Sequence, residues 1–204
     1  PAFWIERQQQ YFITGSPRAY QQALDLGHSQ DRVFLTSGMI LHPRFYEPLE
    51  IDAAREREAV GLDPAKPTGV VLFGGYGTGV MKQILARLDD SGLDIQLLLI
   101  AGKNEALRRD LESRQTRIRK HVIGFTSEVP RWMAMSDFLI GKPGPGSVSE
   151  AVHMGLPTIT VRNAWTLPQE RYNAQWLLDN DLGLVLKSFQ DIAGAVRTLL
   201  GGDT

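Results

Sequence analysis

Gly141-Lys142-Pro143-Gly144-Pro145-Gly146-Ser147-Val148-Ser149-Glu150 lies between the apolar run Phe138-Leu139-Ile140 and a helical pattern that continues from Ala151 to Gly155. A short apolar strand, a turn of glycines and prolines, and a helix follow one another here, the local order of an α/β sheet. The glycines let the backbone turn tightly and approach a ligand without Cβ interference. Ser147 is expected to open the helix, so that its first N–H groups face the loop. Such a turn suits a phosphate. Glu150, three residues on, could accept from two neighbouring hydroxyls, as a ribose offers them. The same residues fit a second pattern, because Ser147-x-x-Glu150 is also a capping box, which bonds back on itself and needs no ligand.

Working outward, apolar runs and helical patterns alternate along the chain. Strands are expected near Val70–Phe73, Ile95–Ile100, His121–Ile123, Phe138–Ile140, Thr158–Val161 and Leu184–Leu186. Helices are expected near Val80–Asp89, Glu105–Arg114, Pro130–Met135, Val148–Met154, Gln169–Asn180 and Phe189–Leu200. This alternation predicts an α/β fold with a doubly wound parallel sheet. The first residues read as a separate piece: a strand at Tyr11–Thr14, a helix at Pro17–Leu26 and a second strand at Arg32–Thr36. A lone βαβ unit cannot cover both faces of its strands, so it either adds to the larger sheet or is the tail of a neighbouring domain. The expected division is residues 1–48 for this piece with its connector, and 49–204 for the main domain. The run Arg55-Glu56-Arg57-Glu58, on a helix expected from Asp52 to Val60, reads as a solvated face.

The 204 residues, 43% hydrophobic and 22% charged, allow a real core of ordinary globular composition. No apolar run approaches the roughly 20 residues needed to span a bilayer. The absence of cysteine excludes disulfides and thiolate zinc sites. A net charge of −1 leaves no global electrostatic footprint for nucleic acid. The chain starts at Pro1 within a pattern, as an excised segment of a longer protein would.

The specialised residues gather after the carboxyl ends of the expected strands: Gly74-Gly75-Tyr76-Gly77-Thr78-Gly79, Gly102-Lys103-Asn104, Gly124-Phe125-Thr126, the Gly141–Ser147 turn, and Arg162–Glu170. Open α/β sheets bind ligands at that edge, beside the topological switch point. The first loop lacks G-x-G-x-x-G spacing, and no acidic residue ends the next strand, which argues against a dinucleotide. Val80-Met81 stand where a P-loop needs Lys and Ser or Thr. The four histidines are scattered and predict no metal site. The cluster Arg108, Arg109, Arg114, Arg117, Arg119 and Lys120 reads as an exposed helix face, with attraction to anionic lipid as the alternative.

Gly141 to Ala151, then Gly155-Leu156-Pro157, then Gln169-Glu170-x-x-Asn173, together resemble the C-terminal, donor-binding domain of a group of GT-B glycosyltransferases. That group includes plant-type monogalactosyldiacylglycerol synthase, bacterial processive diacylglycerol glycosyltransferases and the peptidoglycan GlcNAc transferase. Ser37 to Phe45 resembles the interdomain crossing of that group. The resemblance implies a Rossmann-like domain in which Gly144, Pro145, Gly146 and Ser147 hold the donor diphosphate and Glu150 the ribose. It implies that Gly124 and Phe125 lie against uracil, and that Gln169, Glu170 and Asn173 contact sugar hydroxyls. Gly75, Gly77, His42, Arg44 and Lys103 are secondary candidates. Members commonly carry an arginine where His42 stands, and here the arginine, Arg44, is two residues further on.

The implied function is the donor half of an inverting, UDP-hexose-dependent transferase acting on a lipid such as diacylglycerol. No metal or other cofactor is expected, and the catalytic base would come from the N-terminal domain, so this chain alone is expected to be inactive. The lipid acceptor would bind that other domain. The full-length protein would be cytoplasmic and peripheral to the inner face of a membrane, with no nucleic-acid partner. The alternatives are a UDP-sugar epimerase of the same architecture and a non-catalytic, nucleotide-sugar-binding half-enzyme that needs a partner chain.

Overall fold

A computed structural model describes residues 5–201. The chain forms two compact units that divide between His42 and Pro43. In the first, β1 (Phe12–Thr14) and β2 (Val33–Leu35) pair in parallel, with α1 (Pro17–Asp25) between them in sequence. The pair is a separate two-stranded sheet and does not extend the larger one. Ser16 caps α1 by accepting from the Ala19 N–H, and Pro17 fills the first helical position, where a missing N–H costs nothing.

The second unit contains α2 (Ala53–Ala59), β3 (Thr68–Leu72), α3 (Val80–Asp90), β4 (Gln96–Ile100), α4 (Glu105–Ser113), β5 (Arg119–Ile123) and α5 (Val129–Ala134). It continues with β6 (Phe138–Gly141), α6 (Pro145–His153), β7 (Thr158–Val161), α7 (Arg171–Asp179), β8 (Gly183–Leu186) and α8 (Ile192–Leu199). Its strands form one parallel sheet in the order β5-β4-β3-β6-β7-β8. The order reverses between β3 and β6, so the loops leaving those two adjacent strands diverge and open a crevice at the carboxyl edge.

The central strands carry continuous apolar runs because helices cover both faces. Every residue of β3, β4 and β6 is buried. Helix α3 lays Met81, Ile84, Leu85 and Leu88 into the core at helical spacing, and α4 adds Leu107 and Leu111. Each such side chain contributes about 1.5–3 kcal/mol by leaving water. The expected doubly wound α/β sheet is thus the fold observed.

One charge departs from the expected solvated face. Arg57 belongs to the run expected to face solvent, yet it is 8% exposed. Its Nε donates to the Met135 carbonyl at 2.7 Å and its Nη2 to Asp137 Oδ2 at 3.0 Å. Asp137 Oδ2 also accepts from the Thr68 N–H at 2.7 Å. The guanidinium therefore ties α2 to the entry of β3 and to the turn before β6. A charge pattern along a short helix does not reveal that Arg57 meets backbone carbonyls and a carboxylate brought near by the sheet.

Candidate functional site

Helix α6 begins three residues before the expected start at Val148. Gly144 is its N-cap, in an extended conformation (φ −68°, ψ 138°), and Pro145 occupies the first turn. Proline is pre-organised there, which explains the early start. Ser147 consequently sits inside the helix, and its Oγ lies 3.4 Å from the Gly144 carbonyl, to which it donates. The N-cap is Gly144, which has no side chain to offer, and Ser147 is not at the cap position, so the expected capping box with Ser147 as N-cap does not form. The N–H groups of Gly146 and Ser147, aligned with the helix dipole, present a partial positive charge to the loop.

A cavity of about 340 Å³ opens at this end of the helix. Its walls come from four of the expected loops: Gly74 and Gly75 after β3, Gly102 after β4, Phe125 and Thr126 after β5, and Lys142 with Gly144, Pro145, Gly146 and Ser147 after β6. Glu150, one turn into α6, also lines it. The volume and the mixture of amide, hydroxyl, carboxylate and aromatic groups match a small-molecule site. The diphosphate, ribose and aromatic candidates are thus gathered around one space, at the switch point between β3 and β6.

The other loop residues divide between the cavity and its surroundings. Gly124 is outside the cavity wall, next to the Arg108 side chain, whose Cδ is 3.3 Å from the place a Cβ would take. Phe125 remains 66% exposed, with the Lys103 ammonium 4.9 Å from its ring centre. Lys103 therefore reaches the site through that ring. Gly77 turns away to pack on β4: at φ +55° a Cβ would stand 2.8 Å from the Ala101 carbonyl oxygen. Gly102, which lines the cavity at φ +62°, is packed more tightly still: a Cβ there would stand 2.3 Å from the Gly75 carbonyl oxygen. These two glycines are required by loop packing.

The expected sugar-binding group is split. Gln169 lies half-buried in the turn before α7. Glu170 is buried and accepts from the Lys142 ammonium at 3.0 Å. Asn173 donates from Nδ2 to the Pro143 carbonyl at 2.9 Å. Both residues thus hold the glycine-proline loop from the α7 side. Arg44 pairs with Glu128 and donates to the Ser127 carbonyl at 3.2 Å, at the start of α5. His42 is the last residue of the first unit.

Lys142, which lines the cavity, has no counterpart among the site residues expected from sequence. Its position immediately after a buried strand and before the phosphate turn was the signal available. Among the described residues no three His, Cys, Asp or Glu side chains are grouped as metal ligands. No helix among them is long and apolar enough to cross a membrane.

The model of the glycosyltransferase family 28 C-terminal domain matches residues 71–190, more than half of the chain. A probable monogalactosyldiacylglycerol synthase 3 of rice (Oryza sativa subsp. japonica) is 33% identical over 189 residues, which is 88% of this chain and 36% of that protein. Monogalactosyldiacylglycerol synthase 3 of Arabidopsis thaliana is 31% identical over 186 residues, 88% of this chain and 38% of that protein. The chain spans little more than a third of the length of these curated relatives. The S. aureus MnaA structure with UDP has a TM-score of 0.69 at 18% identity, covering 94% of this chain and 51% of that one. Anabaena HepE in complex with UDP-glucose has a TM-score of 0.61 at 15% identity, covering 95% and 55%. These two share the fold. The switch-point cavity, the helix that opens on it and the match over residues 71–190 lead to one conclusion: the chain belongs to the glycosyltransferase family 28 C-terminal domains, on the GT-B architecture.

Proposed function

We propose that this chain is the donor-binding part of an inverting, metal-independent hexosyltransferase that takes a UDP-sugar and acts on a lipid acceptor such as diacylglycerol. The observation that carries the reading is the N-terminus of α6, with glycine at its N-cap, facing a cavity that Glu150 and Phe125 also line. In this reading the diphosphate lies at Gly146 and Ser147, where amide hydrogens and the helix dipole meet anionic oxygens. Glu150 accepts from the ribose hydroxyls and Phe125 flanks the base. When the glycosidic bond breaks, negative charge grows on the departing diphosphate, and the same amides stabilise it more strongly than they stabilise the intact donor. Monogalactosyldiacylglycerol synthases among the relatives support a hexose donor and a glyceride acceptor. The base that activates the acceptor would come from outside these residues, so the chain by itself binds donor without turnover. The full protein would act at the inner membrane face from the cytoplasm.

Calorimetric titration with UDP tests the reading. Saturable binding by the wild-type chain is expected, with Glu150→Ala weakening it about tenfold or more, as for loss of hydrogen bonds to a charged group. A variant that binds UDP unchanged while melting earlier would return Glu150 to a purely structural role.

A further inference from the structure

Glu170 stands at the N-cap of α7 with its side chain 10% exposed, and its ion-pair partner is the Lys142 ammonium at 3.0 Å. A carboxylate this buried needs a cation beside it. Lys142 is 44% exposed, so it is the member of the pair whose head has room to shift within reach of Glu170. Its stem runs along the cavity mouth between the two loops of the switch point. Cε is 3.3 Å from the space a Cβ on Gly144 would occupy and 3.8 Å from the corresponding space at Gly74. The same point at Gly144 is 3.4 Å from Ser147 Oγ and 3.7 Å from Glu170 Oε1. An ammonium, a buried carboxylate and the first turn of α6 thus meet at one backbone position.

We infer that Lys142 serves two anions in turn, Glu170 and the diphosphate of a nucleoside-diphosphate donor, and moves from the first toward the second as donor enters. The inference rests on the donor-binding reading above. A diphosphate at the α6 N-terminus places negative charge beside the Glu170 carboxylate, and the repulsion is relieved only by a cation that reaches both. Lysine suits the task, being a compact charge on a flexible stem that donates in several directions. As Lys142 moves, Glu170 gains acceptor capacity for a hexose hydroxyl. Sugar and diphosphate recognition are thereby coupled through one side chain, and UDP without sugar binds against Glu170's hold on the lysine.

The test is titration of the whole chain with UDP and with uridine, which lacks the diphosphate. Glu170→Gln is expected to tighten UDP about tenfold by removing the competing charge and to leave uridine unchanged. Lys142→Met should weaken UDP about tenfold, again sparing uridine. In the Lys142→Met background Glu170→Gln should no longer tighten UDP, and Lys142→Arg should retain discrimination between UDP and uridine. The inference is overturned if Glu170→Gln leaves UDP binding unchanged or weaker, if its gain persists without Lys142, or if Lys142→Met affects both ligands alike. Glu170→Gln and Lys142→Arg preserve size and hydrogen bonding, so failure of Lys142→Met to fold leaves the first comparison decisive. A wild-type chain that binds neither ligand would instead overturn the donor reading, and this inference with it.

Discussion

His121 shows how one side chain links the fold to solution conditions. It sits half-buried on β5, stacked on the Trp132 ring of α5 with centroids 5.5 Å apart. Burial, the dominant cause, pushes its pKa below the ordinary value near 6.5, against the smaller opposing influences of the Val60 backbone and Glu112. The unfolded chain then takes up its proton at higher pH than the folded one. Stability from this residue is full above about pH 6.5 and declines as pH falls from there toward the folded-state value. Thermal melts at pH 8 and pH 5.5 should show a loss that His121→Gln reduces. An equal loss in the variant would place the pH dependence elsewhere. The stacking was not legible from sequence, where His121 is one of four scattered histidines. Arg57 escaped for a related reason: its partners, Met135 and Asp137, are distant in sequence and are brought near only by the sheet.

At the scale of the element, α6 separates a motif from its local interpretation. The Gly141–Glu150 stretch was legible as a turn feeding a helix. The helix start was not, because serine with glutamate three residues on is the stronger capping pattern, whereas Gly144 and Pro145 won through backbone geometry. Helix α4 provides the contrast, since Asn104 does cap it, accepting from the Leu107 N–H at 3.0 Å. Asn104→Ala should therefore cost about 1 kcal/mol, measured by urea denaturation. Ser147→Ala, removing a long contact inside its helix, should stay within about 0.5 kcal/mol. Comparable losses in the two variants would restore Ser147 as a cap. The α7 side of the site was the least legible part: Gln169, Glu170 and Asn173 were read as one sugar-binding group, but Glu170 and Asn173 also reach back to Lys142 and Pro143. Such cross-loop bonds leave no periodicity to read.

For the whole molecule, the doubly wound sheet was legible because its strands are continuous apolar runs separated by helical patterns, and buried parallel strands leave that trace. The fate of the βαβ piece was open, since nothing in a short strand's sequence says which edge it joins. It forms its own two-stranded sheet, with Tyr11 68%, Ile13 65% and Phe34 51% exposed. A pair of strands with little apolar burial is marginal, while β3, β4 and β6 are buried along their full length. Hydrogen exchange should resolve this difference: amides of β1 and β2 should exchange at least about a hundredfold faster than those of β3 and β4, a gap of roughly 2.7 kcal/mol in opening free energy. Saturating UDP should slow exchange in the loops after β3 and β6, at Gly74–Gly75 and Gly144–Ser147, without slowing β1 and β2. If the two sheets exchange alike, the first unit has a stability its small buried surface does not explain. If UDP protects β1 and β2 as strongly as the switch-point loops, donor binding is not confined to the six-stranded sheet.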